Sequence, residues 1–253
     1  MDFLNIPAIV TGGASGLGAA TAARLAELGA NVTIFDLNAE LGHSVAATIG
    51  GQFQQVNVSD EGSVEAGLDG AESAHGPARI LVNCAGIGKS IRTVSREGQP
   101  FPLADFRRVI DVNLVGTFTM ISKVAARMSA IEPVGEERGV IINTASVAAF
   151  EGQIGQAAYA ASKGGIVGMT LPIARDLAQL RIRVMTIAPG LFRTPIMKGM
   201  SEEALTALGK QAPFPSRLGV PSEYAMLAEA IVRNPMLNGE VIRLDGALRM
   251  APR

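Results

Sequence analysis

A tyrosine and a lysine four residues apart, Tyr159-Ala-Ala-Ser-Lys163, share one face if their segment is helical. A free phenol has a pKa of about 10, too high for a base near neutrality, and a neighbouring ammonium favours the phenolate. The pair is then a tunable proton donor or acceptor, although on a solvated helix the same spacing carries no chemistry. Its surroundings set it apart. The segment is nearly free of other charges until Arg175, Ser146 lies 13 residues upstream, and Asn113 stands in an earlier long apolar stretch. A lysine in so apolar a run needs a partner.

A second group of residues suits a phosphate. Thr11-Gly-Gly-Ala-Ser-Gly-Leu-Gly18 follows a β-rich run and opens a helical one. Glycine at Gly12, Gly16 and Gly18 lets backbone approach a pyrophosphate, with Ser15 and Leu17 beside it at a helix N-terminus whose free N–H groups attract anions. A plain tight turn has the same glycines. What favours a dinucleotide is Asp36, 18 residues after Gly18 at the end of the next strand, near the spacing of about 20 for the acid that binds ribose hydroxyls. A carboxylate repels a 2′-phosphate, and Ala14, Ser15, Leu37 and Asn38 supply no cation, so NAD is expected over NADP. Asp36 as a mere cap of the next helix is the competing reading. Asn83-Cys84-Ala85-Gly86 ends a further strand with small residues, where bulk would collide with a ribose or where a turn is simply small.

These groups need elements to hold them. Short β-rich runs at residues 8–11, 31–36, 52–58, 80–83, 140–145, 183–188 and 241–244 alternate with helical stretches at 16–28, 39–49, 61–75, 103–128, 157–180, 202–208 and 222–232. The alternation predicts one α/β domain over residues 1–253, a seven-stranded, mostly parallel, doubly wound sheet with helices on both faces. Irregular stretches at 87–102 and 190–221 leave strand ends, where open sheets place their ligands.

Composition excludes other classes. Hydrophobic residues are 48% and charged residues 18%, which rules out disorder, and 22 basic against 23 acidic side chains leave no excess to meet nucleic acid or lipid phosphates. Residues 3–23 carry no charge, but Asn5, Pro7, Thr11 and four glycines interrupt them, and no basic leader precedes them, so neither a membrane span nor a targeting peptide is expected. One cysteine, Cys84, cannot form an internal disulfide, no Cys/His cluster has metal-ligand spacing, and a reducing, cytoplasmic compartment is expected. The two histidines, His43 and His75, fall in polar helix segments and are expected to be solvated. With no Gly-x-Ser-x-Gly elbow either, a hydrolase is excluded.

Taken in order, the TGxxxGxG turn, Asn-Cys-Ala-Gly, Asn113, Ser146, YxxxK and Pro189-Gly190 resemble the short-chain dehydrogenase/reductase family across essentially the whole chain. The resemblance implies a single-domain Rossmann fold and an NAD-dependent oxidoreductase. Tyr159 would be the proton donor or acceptor, Ser146 would bond the substrate oxygen, Lys163 would lower the tyrosine pKa and hold the nicotinamide ribose, and Asn113 would position a water linking Lys163 to solvent. Cofactor contacts would extend to Asn57, Val58, Asn83, Cys84, Ala85, Gly86, Pro189, Gly190, Phe192 and Thr194. Asn57-Val58 departs from the Asp-Val of many members, though an amide oxygen can still accept from the adenine amine.

Residues 138–178, with 183–192, 213–219 and 238–250, look like the branch of that family acting on 3-hydroxyacyl-CoA, which implies short or 2-methyl-branched acyl substrates and a homotetramer. Apolar residues on several faces of residues 114–128 and 166–177 agree with burial against another subunit. Lys89, Arg92, Arg96, Arg193 and Lys198 would form basic rims for an acyl-CoA, Leu191 with Phe192, Ile196 and Met197 would cover the acyl chain, and Gln153 and Gln156 would bond the thioester carbonyl. A 3-oxoacyl carrier-protein reductase or a hydroxysteroid dehydrogenase is the alternative enzyme, and an NAD-binding sensor the alternative without catalysis.

Overall fold

The computed structural model describes residues 1–197 and 199–252. Seven strands, β1 (Pro7–Thr11), β2 (Asn31–Asp36), β3 (Gln52–Gln55), β4 (Ile80–Asn83), β5 (Gly139–Thr144), β6 (Ile182–Pro189) and β7 (Val241–Leu244), form one sheet in the order β3-β2-β1-β4-β5-β6-β7. Every pairing between them is parallel. The central β4, β5 and β6 are buried along their whole length, which is why they read as continuous runs of Val and Ile rather than as alternation.

The described residues form eight helices: α1 (Gly16–Glu27), α2 (Ala39–Ile49), α3 (Glu61–His75), α4 (Leu103–Ile110), α5 (Gly116–Ser129), α6 (Ala157–Asp176), α7 (Glu202–Gly209) and α8 (Pro221–Arg233). Side chains of α1, α2 and α8 (Ala22, Leu25, Ala46, Tyr224, Ile231) pack on one face with Val10, Val82 and Ile142. Those of α3, α5 and α6 (Val64, Leu68, Met120, Val124, Ala174) pack on the other with Ile9, Leu81 and Ile141. The strand order reverses between β1 and β4, so the loops leaving those two strands open a crevice at the switch point.

Three elements differ from their sequence expectation. The stretch at 103–128 is helical throughout but passes through a π-helical turn at Asp111–Val115. Val109, Ile110, Val112, Leu114 and Val115 run through the turn with no Gly or Pro among them, so pattern alone reads one helix. The helix after Tyr159 stops at Asp176, with a 3-10 turn at Ala178–Leu180 ending on Arg181 at φ +56°. Strand β3 ends at Gln55, because the chain turns at Asn57, whose N–H donates to Ser63 Oγ at 2.9 Å.

Of the apolar residues in α5, Met120, Ile121, Val124 and Met128 are core rather than interface. Val115 (47% exposed) and Phe118 (51%), with Leu171 on α6 (44%), are the ones left uncovered. Of the two histidines, His43 is exposed as expected and His75 is not. His43 is exposed but stacks edge-on against Phe53 at 4.6 Å between ring centroids, and His75 has a buried Nε2 without a hydrogen-bond partner. His75 borders a space of about 10 Å³ beside Pro7 and Arg127, at the far end of the strands from the crevice.

Candidate active site

The turn after β1 is shaped by contacts only glycine allows. Gly12 has φ +63°, and a Cβ there would lie 2.8 Å from the Ala85 backbone, while one on Gly18 would lie 2.2 Å from the Gly12 carbonyl oxygen. The turn thus lies flat on the end of β4, and α1 seats directly on the turn. Ser15 at the N-cap is extended and makes no capping bond, and the first turn of α1 carries no acid. Among the described residues, no side chain takes up the first N–H groups of α1, which leaves them and the dipole end facing the crevice for an anion. Leu17 packs against the core. From across the crevice, Pro195 and Thr194 come within 3.2 and 3.6 Å of a Cβ on Gly16, so the segment after β6 folds back over the turn.

Asp36 ends β2 beside that turn, its carboxylate accepting from Ala14 N–H at 3.1 Å and Asn38 N–H at 3.0 Å. It does not cap the next helix. That task falls to Asn38, whose Oδ1 accepts from Leu41 N–H at 3.0 Å. Asp36 is therefore placed where the ribose of a dinucleotide bound at the turn would lie, and the residues present fit such a group.

Other expected cofactor contacts divide into surface and support. Asn57 Oδ1 already accepts from Ser59 N–H (3.2 Å) and Ser59 Oγ (2.8 Å), its carbonyl accepts from Asp60 N–H (3.0 Å), and the Val58 side chain is buried where a Cβ on Gly116 would meet it at 2.8 Å. The Asn83 side chain does not reach the crevice. It is buried in the sheet and donates to Asn143 Oδ1 at 2.9 Å. Cys84 N–H donates to Thr11 O (3.1 Å), and Ala85 N–H to Thr11 Oγ1 (3.1 Å). Burial pushes the Cys84 thiol pKa up, so it is no nucleophile. Gly86 abuts Asn113 and Lys163, for a Cβ there would lie 3.3 Å from Asn113 Oδ1 and 3.6 Å from Lys163 Nζ. On β6, Pro189 ends the strand, Gly190 donates to Leu244 O at 2.9 Å, and the Phe192 ring is buried against Gly219.

Ser146, Tyr159, Lys163 and Asn113 do converge. Ser146 follows β5, is 8% exposed, and its Oγ accepts from Ala148 N–H at 3.1 Å. Burial raises the Tyr159 phenol pKa, and the Ser146 hydroxyl beside it pulls the other way. Lys163, 4% exposed, has its Nζ 5.8 Å from the Tyr159 ring centroid and donates to the Thr144 carbonyl at 2.7 Å. Desolvation depresses this lysine to about 8, with the nearby Cys84 opposing. It makes no direct hydrogen bond to the phenol among the described residues. Asn113, in the π-helical turn, clamps the loop after β4: Oδ1 accepts from Ile87 N–H (2.8 Å), while Nδ2 donates to Ile87 O (2.9 Å) and Ser162 Oγ (3.0 Å).

The residues assigned to the substrate fare differently. Gln153 donates through Nε2 to Ala251 O (3.0 Å), and Gln156 Oε1 accepts from Gln153 N–H (2.9 Å). One end of each amide thus braces the loop before Tyr159 and the C-terminal tail, while Gln156 Nε2 makes no hydrogen bond among the described residues and Gln156 lines the groove below. The Leu191 carbonyl accepts from Gly219 N–H at 2.9 Å. Of the rim cations, Lys89 pairs with Asp105 (2.7 Å) and Arg193 with Glu202. Arg92 and Arg96 are exposed and make no ion pair among the described residues, and Arg92 borders an open groove of about 510 Å³ lined also by Gly152, Gln156 and Pro252. Lys198 and the side chain of Ile196 lie outside the described residues. Motif reading missed Thr144 and Tyr224 altogether, since neither belongs to a local pattern.

A doubly wound parallel sheet with a glycine turn at its switch point, and a Ser-Tyr-Lys group beyond the next strands, defines a dinucleotide-dependent oxidoreductase. The chain belongs to the short-chain dehydrogenase family, whose model matches residues 7–205. It is 57% identical over 252 residues to the human 3-hydroxyacyl-CoA dehydrogenase type-2, covering 98% of this chain and 97% of that protein. The Drosophila melanogaster protein of the same name is 54% identical, with 98% and 99% covered. Among solved structures, 3-hydroxyacyl-CoA dehydrogenase type-2 from Mycobacterium avium superposes with a TM-score of 0.94 at 46% identity, covering 98% of each chain. A 3-ketoacyl-(acyl-carrier-protein) reductase from Brucella melitensis complexed with NADH does so with 0.86 at 30%, covering 97% of this chain and 98% of that one.

Proposed function

We propose that this protein interconverts 3-hydroxyacyl-CoA and 3-oxoacyl-CoA with NAD(H), on short or 2-methyl-branched acyl chains. The observation that carries the reading is the complete Ser146, Tyr159, Lys163 and Asn113 set beside a glycine turn, in a chain 57% identical to a 3-hydroxyacyl-CoA dehydrogenase over nearly its full length. The turn at Gly12, Gly16 and Gly18 would hold the pyrophosphate, Asp36 the adenosine ribose, and Lys163 the nicotinamide ribose. When bound, the nicotinamide supplies the hydride acceptor or donor.

The chain's own residues do the rest. Tyr159 takes the proton from the C3 hydroxyl, or gives it back, while Ser146 bonds the same oxygen and keeps the phenol aligned. Burial raises the Tyr159 pKa and the Ser146 hydroxyl lowers it, and the Lys163 ammonium, 5.8 Å from the ring centroid, is placed to favour the phenolate as well. Asn113 holds the loop from Ile87 in place, and with it the wall facing Tyr159. A homotetramer, with Val115, Phe118 and Leu171 covered by a second subunit, is part of the same proposal.

The test is kcat/KM for NAD-linked turnover across a chain-length series of 3-hydroxyacyl-CoA thioesters, with a secondary-alcohol steroid and an acyl carrier-protein thioester alongside. The reading expects the short CoA thioesters to lead. Faster turnover of the steroid or the carrier-protein thioester would replace it.

A further inference from the structure

We infer that Tyr224 is a positioning residue for the Lys163 ammonium, acting from the opposite face of the sheet through Thr144. Tyr224 lies in α8 and is wholly buried, whereas Lys163 comes from α6 on the other face. Thr144, the last residue of β5, joins them. Its backbone carbonyl accepts from Lys163 Nζ at 2.7 Å, and its hydroxyl shares a 2.7 Å hydrogen bond with the Tyr224 hydroxyl. The two short bonds converge on one residue, so the acceptor that Lys163 uses is pinned by the phenol behind it.

Cys84 completes a ring. Thr144 Oγ1 donates to Cys84 Sγ (3.6 Å) and the Cys84 thiol donates to Tyr224 OH (3.8 Å), which leaves the Tyr224 O–H to donate to Thr144 Oγ1. Each of the three groups then gives one hydrogen bond and accepts one, and burial keeps the Tyr224 phenol protonated to do so. The ring ties the ends of β4 and β5, two residues short of Ser146, to α8. A phenylalanine would fill the same volume without any polar demand, so space-filling alone does not account for a phenol here. The groups facing Lys163 are Tyr159 on its own helix, the Cys84 thiol just after β4, and the uncharged Asn113 from the π-helical turn, and among the described residues no carboxylate pairs with it. With no counter-charge, the fixed Thr144 carbonyl is its principal local support.

This inference rests on the dehydrogenase reading, and its test separates the two. The pH dependence of kcat/KM for NAD-linked oxidation is measured for the wild-type protein, Tyr224→Phe, Thr144→Val, the double variant and Thr144→Ser, each with its melting temperature. Losing the pinned acceptor weakens the ammonium and so disfavours the Tyr159 phenolate. Tyr224→Phe should then move the acid limb upward by about half a pH unit and lower the plateau roughly 3- to 10-fold. Thr144→Val should do the same, the double variant should be no worse than either alone, and Thr144→Ser, which keeps the hydroxyl, should restore the limb. A lower melting temperature with an unmoved limb, or additive effects in the double variant, would overturn the inference while leaving the dehydrogenase reading intact. A wild-type protein without activity on secondary alcohols would remove both.

Discussion

Lys163 spends its one short hydrogen bond on the carbonyl of Thr144, 2.7 Å away, while its charge stands 5.8 Å from the Tyr159 ring centroid. The lysine is thus anchored to the sheet rather than bonded to the phenol. Its burial has a cost that can be measured. Below pH 8 the folded protein holds a desolvated ammonium, whereas the unfolded lysine titrates near 10.5. The unfolded state therefore binds more protons between those values, and this group's penalty is full below pH 8 and fades as pH rises to 10.5.

Lys163→Met should accordingly abolish turnover and yet stabilise the fold at pH 7 by on the order of 1–2 kcal/mol, the orphaned Thr144 carbonyl offsetting part of the relief. Melting curves at pH 7 and pH 10 check this. A gain that is the same at both values, or a loss at pH 7, would show that the buried ammonium carries no such penalty.

Cofactor choice follows from Asp36. NAD(H) should be preferred over NADP(H) by at least about 10-fold, or about 1.4 kcal/mol. Asp36→Ala should narrow the gap and, because the carboxylate also holds Ala14 N–H, weaken both cofactors somewhat. Equal kcat/KM for the two cofactors in the unchanged protein would refute the assignment.

The parts of this site that motifs encode were legible before the fold was known. The glycine turn, Asp36, Ser146 and the Tyr-Lys pair each sit at a strand end or on a helix face that period and spacing locate. What pattern could not show is what each side chain spends its hydrogen bonds on. Gln153 gives its amide to Ala251, 98 residues away, and Lys89 is neutralised by Asp105 from α4. Asn83 looks like a ribose contact in a string of small residues, but the strand's alternation turns it into the sheet. The π-helical turn that carries Asn113 is invisible to pattern because no breaker residue marks it within an apolar stretch. Tyr224 meets Thr144 across 80 residues with no motif at either end.

Those pairings leave Arg92 and Arg96 unpaired among the described residues, and of the two Arg92 borders the groove. Arg92, exposed above a groove of about 510 Å³ and outside any ion pair among the described residues, should read the CoA phosphates. Arg92→Glu should raise KM for acetoacetyl-CoA several-fold, roughly 1 kcal/mol, with little change for a CoA-free keto substrate. Lys89→Glu breaks its pair with Asp105 and should not discriminate between them. Equal effects of Arg92→Glu on both substrates would mean that this rim does not recognise CoA.

Assembly turns on Phe118, an aromatic ring half exposed on α5 next to Val115. Light scattering at micromolar concentration should give a tetramer, and Phe118→Asp should yield smaller species by placing a charge in an apolar contact. A monomeric wild-type mass would leave these side chains as ordinary exposed apolar residues.

The account's central claim is proton transfer by Tyr159 to the C3 oxygen of an acyl-CoA, and its most direct measurement is the loss of NADH absorbance on mixing protein, NADH and acetoacetyl-CoA, with Tyr159→Phe in parallel. The account predicts consumption of one NADH per ketone reduced, and a fall in kcat of at least about 10²-fold for Tyr159→Phe while NADH still binds. No NADH consumption with acetoacetyl-CoA, or a near-normal rate in Tyr159→Phe, would contradict it.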